Sequence, residues 1–298
     1  TFDVELWRAN QHLDGHKIDF LPAVNEDMAA TIMAGAQQAE QQPSTTVDGV
    51  FGLWYGKGPG VDRSGDAIKH GNMYGSSPNG GVLMMAGDDH GCVSSTISHQ
   101  SEYGFIGASL PVLNPATIDE LISFGLFGFA LSRYSGLWVG MKSIAELIEA
   151  GASIDLAPLP AFARPPLVNT ADGLHIRWPD APGLHLEDRM EAKLDAAAIF
   201  AEQEAQLVRT QHAADGLAAV EQTADALLRL AGADAAAHRQ CRVAEQDQAD
   251  VGHLELVAQA VFHRADHFFQ AAGVEQVEHQ PAGLVEQTVV VARHVHQL

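Results

Sequence analysis

Two apolar runs, each ending in a polar, glycine-rich turn that opens a helix, constrain this chain more than any other feature. Residues 47–55 lead into the turn 56–60, and residues 81–86 lead into Gly87, Asp88, Asp89 and His90. A buried strand handing over to a helix in this way is the unit from which parallel α/β sheets are built. Ligands of such sheets settle in the crevice at the carboxyl ends of the strands. Lys57, Gly58, Asp88, Asp89 and His90 fall on that rim.

The same alternation runs through the first ~185 residues. Residues 6–13 read as the end of a helix, and 17–21 lead into a short strand or loop. Asn25 precedes a helix over 26–42 that Pro43 closes. Asp62 or Ser64 caps a helix running to Tyr74, and a further helix spans 94–106 after the second turn. A short strand at 110–113, a helix from Pro115 to Tyr134, a strand at 136–141 and a helix at 143–149 follow, with Lys142 as the polar exit of the strand. Residues 157–182 are proline-rich and read as an extended connection. The expected fold class is α/β, a doubly wound and mostly parallel sheet, followed by a helical or disordered tail. The expected division is a domain over 1–186 and a tail over 187–298.

From Glu204 to Leu298 the chain contains no Ser, Lys, Asn, Ile, Met, Tyr or Trp. Loss of seven residue types together is unusual for an enzyme domain. Two readings stand: translation out of frame from about residue 204, or an Ala-rich helical domain. On either reading, few large apolar side chains are available there to bury against the first domain.

Composition excludes several function classes. With 17 basic and 38 acidic side chains the formal charge is -21, which repels a phosphate backbone, so no nucleic acid is expected as a partner. No apolar run approaches the ~20 residues of a membrane span, and residues 1–17 lack a secretory apolar core. Cys92 and Cys241 are too few for a disulfide framework or a four-cysteine iron–sulfur site. A cytoplasmic, reduced setting is expected, and the start at Thr1 reads as that of a fragment.

Local motifs narrow the chemistry. The segment 56–60, GKGPG, is not a nucleotide-binding phosphate loop, because Gly52 and Gly56 are separated by three residues and Gly58, not Ser or Thr, follows Lys57. Asp88, Asp89, His90, His99 and His70 include metal-binding residue types, but no pair has the spacing of a known hydrolase motif, so no bound metal is expected. Glu26 stands at the start of a helix, where an acidic side chain is favourable on electrostatic grounds alone.

Taken together, WYGKGPGVDRSGD (54–66), AGDDH (86–90) and SSTISHQSE (94–102) resemble, in order and spacing, the thiamine-diphosphate region of indolepyruvate ferredoxin oxidoreductase in its fused-chain bacterial form. RWPDAP (177–182) and RMEAKLDAA (189–197) extend the likeness, which spans about residues 7–197. The resemblance implies the pyrimidine-side domain of a thiamine-diphosphate-binding fold in the 2-oxoacid:ferredoxin oxidoreductase family. AVNEDMAAT (23–31) resembles the segment carrying the glutamate that works with the cofactor's N1′ nitrogen, which makes Glu26 the catalytic residue. Asn25, Glu26, Lys57, Gly58, Asp88, Asp89 and His90 are its implied cofactor contacts, with SSTISHQSE on the helix behind the AGDDH turn. The implied activity is oxidative decarboxylation of indolepyruvate and related aryl-2-oxoacids to acyl-coenzyme A, with electrons passed to ferredoxin. The resemblance also implies an oligomeric complete enzyme, whose other parts hold magnesium and the iron–sulfur clusters. The family's first strand, with its Gly-Tyr-x-Gly-Ser-Pro turn, belongs upstream of Thr1. Because the Gly-Asp-Gly motif of the pyrophosphate-side domain is missing as well, the isolated chain is expected to be inactive. Two other classes remain open: a non-catalytic α/β assembly subunit or pseudo-enzyme, and an unrelated hydrolase using the Asp–His turn.

Overall fold

The computed structural model of the chain describes residues 2–9, 18–93, 95–154, 162, 164–166, 170–215 and 287–294. In chain order the elements are α1 (Phe2–Arg8), β1 (Ile18–Ala23), α2 (Glu26–Ala36), β2 (Gly49–Lys57), α3 (Gly58–Arg63), α4 (Gly65–Tyr74), β3 (Gly81–Asp88), α5 (Glu102–Gly107), β4 (Val112–Leu113), α6 (Ile118–Ser135), β5 (Val139–Ile144), α7 (Ala145–Ile148), α8 (Leu184–Asp215) and β6 (Gln287–His294). A single turn of 3-10 helix at Ala39–Gln41 follows α2.

The strands form one sheet in the order β1-β6-β2-β3-β5-β4. β2, β3, β5 and β4 are mutually parallel, as the expected fold class requires. Strand parity sorts the apolar residues to two faces. Leu83, Met85, Val139 and Met141 meet Phe127 and Leu131 of α6 and Met190 and Phe200 of α8. Val82, Met84, Trp54 and Trp138 meet Ala29, Ala30 and Met33 of α2, Ile68 of α4 and Phe105 of α5. Helices on both faces make the arrangement doubly wound.

Small residues set the spacing of these layers. The Met33 sulfur would stand 2.2 Å from a Cβ on Gly52, so α2 lies on β2 only because that strand position is bare. α6 begins with a capping box between Thr117 and Glu120 and ends at Gly136 with φ 78, a left-handed turn that suits glycine.

Several sequence expectations need correction. The helix expected over 94–106 is α5 alone, Glu102–Gly107. Ser95, Thr96 and Ser98 favour side-chain to backbone bonding over helix, and Cys92 turns the chain at φ 54. Residues 95–101 therefore form a loop ending at α5, not a helix behind the turn. Lys57 is the last residue of β2 and Gly58 opens α3, so no free loop spans 56–60. Lys142 lies inside β5 instead of marking its exit. α2 stops at Ala36, and helix does not run on to residue 42.

α8 runs across residue 186, the expected end of the first domain. Met190, Lys193, Ala196 and Phe200 of α8 are buried in the first core, because this stretch presents its apolar side chains to α6. Within the tail, β6 lies antiparallel between β1 and β2, pairing Val291 with both Asp19 and Gly52. The remaining tail residues, Ser94, residues 10–17 and parts of the 155–169 connection lie outside the described residues.

Candidate functional site

The carboxyl ends of β1, β2, β3 and β5 share one rim. β2 and β3 run parallel with Lys57 opposite Gly87, so Lys57 and Asp88 end neighbouring strands on the same edge. Glu26 follows β1, and its backbone carbonyl accepts the Trp54 indole N–H at 3.1 Å, which ties the start of α2 to β2.

Glu26 is held from two sides. Its side chain is 12% exposed and stands 4.0 Å from the Arg63 guanidinium. A Cβ on Gly60 would come within 2.5 Å of the Glu26 Cγ. Asn25, beside it, uses its side-chain oxygen to accept the Met28 N–H at 2.8 Å, an N-cap that fixes the first turn of α2.

The glycines of the 56–60 segment have a specific use. A Cβ on Gly58 would stand 2.3 Å from the His99 Cβ, so the absence of a side chain lets the 89–101 loop lie over the start of α3. The His99 ring then reaches Asp62, with Nε2 at 3.1 Å from the carboxylate. These two glycines thus admit the Glu26 and His99 side chains.

Asp88 points into the protein. It is 1% exposed and accepts from both the backbone N–H and the hydroxyl of Ser101. Its Oδ2 lies 3.6 Å from the Lys142 ammonium, which also meets Glu102 at 3.0 Å. Asp89 is buried too, and its carboxylate accepts the Val93 N–H at 2.9 Å, closing the turn on itself. His90 is exposed. Of the residues expected on the cofactor side, Glu26, Lys57, Gly58 and His90 share the rim surface or its first layer. Asp88 and Asp89 are directed into the loop's own hydrogen bonds.

Lys142 and Glu102 form the pair that sequence reasoning passed over. The signal was strand parity: Trp138, Gly140 and Lys142 alternate onto one face, and Phe105 covers Gly140 there. A lysine in register with a fully buried tryptophan calls for an acidic partner, which Glu102 supplies at the start of α5.

A second charged cluster lies away from the rim and uses the RWPDAP and RMEAKLDAA segments. Arg189, fully buried, donates to Asp172 and to both oxygens of Asp180. Burial alone would raise the Asp180 carboxyl, but the Arg189 hydrogen bonds and charge outweigh it and hold the group below the ordinary carboxylate range. Among the described residues no group of three or more acidic, histidine or cysteine side chains is placed to hold a metal ion. Nor, among those residues, is any helix long and apolar enough to cross a membrane.

Comparison with protein-family models, with the curated proteins and with the solved structures returns no match.

Proposed function

We propose that the rim at Glu26 and Lys57 is the pyrimidine-side half of a thiamine-diphosphate site in a cytoplasmic 2-oxoacid oxidoreductase. In this reading the complete enzyme acts on indolepyruvate and related aryl-2-oxoacids, forms acyl-coenzyme A and passes electrons to ferredoxin. One observation carries the reading: segments singled out as motifs, well apart in sequence, pack directly on one another. Glu26 of the first meets Gly60 of the second, and Gly58 of the second meets His99 of the third.

The donor set suits the pyrimidine end of the cofactor. Glu26 offers a carboxyl held by its neighbours, able to give and take a proton at the ring nitrogen N1′. Lys57, half-buried at the end of β2, offers a cation for an anionic group of cofactor or substrate. When bound, thiamine diphosphate supplies the carbon nucleophile that adds to the 2-oxo group. No Gly-Asp-Gly segment occurs in the sequence, so magnesium and the diphosphate belong to a partner domain in this scheme.

A hydrogen bond to one charged carboxylate contributes about 1.5–3 kcal/mol. Micromolar affinity requires about 8 kcal/mol. Calorimetric titration of the chain with thiamine diphosphate and magnesium is therefore expected to give no micromolar binding. In the assembled enzyme Glu26→Gln is expected to abolish turnover, because an amide cannot exchange a proton at N1′. Near-wild-type turnover of that variant removes Glu26 from the mechanism. The inward-directed carboxylates of Asp88 and Asp89 favour a second reading, a non-catalytic assembly subunit. That reading predicts stable association with a partner and no effect of Glu26→Gln on any activity of the complex.

A further inference from the structure

We propose that Lys142 is the positioning residue of the rim: through Asp88 and Glu102 it closes the 89–101 loop and so keeps His99 seated on Gly58. The loop leaves β3 at Asp88 and returns to α5 at Glu102, and both of its ends carry a buried carboxylate. Asp88 is 1% exposed, Glu102 1% and Lys142 5%, so water screens none of the three. The ammonium lies 3.6 Å from the Asp88 carboxylate and 3.0 Å from that of Glu102. Neither Glu102 carboxylate oxygen has a hydrogen-bond partner among the described residues, so the Lys142 ammonium beside Oε2 is an ion-pair contact for a buried carboxylate.

Asp88 in turn holds Ser101 by its N–H at 3.0 Å and by its hydroxyl, pinning the two ends of the loop together. A compact surface loop with joined ends is a common carrier of functional side chains. Here it carries Asp89, His90 and His99, and it delivers His99 to Gly58 and Asp62. Without the ammonium, two buried carboxylates would face each other across the loop's closure. Their repulsion is relieved when the Ser101–Glu102 end swings out to water, and His99 leaves with it.

This inference rests on the proposed rim site only for its effect on ligand binding; the loop itself provides an independent readout. Hydrogen exchange and NMR of the 298-residue chain compare the wild type with Lys142→Met and Lys142→Arg. In Lys142→Met, exchange of the Ser101 amide should accelerate by about 100-fold and the contact between the His99 ring and Gly58 should vanish. The Trp138 indole and the Val82 amide should keep their wild-type behaviour, and Lys142→Arg should restore both loop signals. Unchanged Ser101 protection in Lys142→Met overturns the proposal, and so does an equal loss at Val82. Should Lys142→Met not fold, Lys142→Gln removes the same charge and leaves both carboxylates in place; faster Ser101 exchange with loss of the His99 contact supports the proposal, and unchanged Ser101 protection overturns it. In the assembled enzyme, Lys142→Met should weaken thiamine-diphosphate binding by about tenfold and Lys142→Arg should not. A wild-type assembly that binds no thiamine diphosphate refutes the function proposed above, while the loop signals still decide the role of Lys142.

Discussion

Lys193 gives the sharpest test of how α8 is fastened to the sheet domain. Its side chain is fully buried, and its ammonium donates to the carbonyls of Asn72 and Met73 at 2.9 Å each, where α4 ends. Asn72 then donates to the Ala108 and Ser109 carbonyls and accepts the Trp138 N–H. Burial, reinforced by the Arg189 charge and opposed by Asp180, lowers the Lys193 pKa from 10.5 to about 7. The unfolded chain therefore binds a proton that the folded chain releases between about pH 7 and the ordinary lysine range, so stability rises with pH across that window. From about pH 7 to about pH 9.5 the gain is about 3 kcal/mol, and below about pH 7 it levels off because both states are charged. Tyr134, whose pKa burial raises, acts in the opposite sense above its ordinary value of 10.0, so the scan stops short of that range. Urea unfolding followed by fluorescence of the buried Trp54 and Trp138 reads the effect. The wild type should gain stability over the scan while Lys193→Met stays flat. Parallel curves for the two proteins would refute the reasoning, because every other titrating group is common to both.

Four further outcomes follow from the same geometry. Phe200, 1% exposed and ringed by Phe127 and Tyr134 at centroid distances of 5.5 and 5.3 Å, should cost about 3–5 kcal/mol when replaced by alanine, measured by chemical denaturation. Asp180→Asn should destabilise by about 3–5 kcal/mol, since Arg189 is fully buried and loses a charge partner. Asp172 and Asp180 both titrate below their ordinary 3.8, so the stability they add is present above that value and is lost as pH falls through the lowered range; the acid-unfolding midpoint of Asp180→Asn should lie at higher pH than that of the wild type. Gly58→Ala should displace His99 and break its contact with Asp62, seen as a shifted His99 imidazole resonance, with little change in the Trp138 indole signal.

The parallel sheet was legible because β2 and β3 carry uninterrupted apolar runs that end at polar rim residues, and both ends fall within two residues of the expected positions. The 94–102 stretch misled because spacing alone cannot show that Asp88 captures Ser101 and ends the loop there. Most of α8 falls beyond residue 186, where the tail was expected to begin. The residues that matter in it, Met190, Lys193 and Phe200, recur at helical spacing and all face the first core. β6 was invisible for another reason: a valine-rich stretch far from the sheet in sequence carries no local sign of which strands it pairs with.

The candidate site divides along similar lines. Chain position was enough to put Lys57 and Asp88 on one rim, because parallel neighbouring strands end together. Direction was not, because the side chains at these strand ends need not face solvent. Asp88 takes the inward course because Ser101 donates to it there and the Lys142 ammonium lies beside it, and Asp89 does so because the Val93 N–H closes its turn. Glu26 is kept at the rim by the absence of side chains around it: Gly60 leaves room for its carboxyl arm, as Gly58 does for the His99 ring. The glycines of the 56–60 segment therefore act as sockets for two motif residues distant in sequence. A larger residue at either position should disturb its own partner, His99 from 58 and Glu26 from 60, while the strands beneath remain paired.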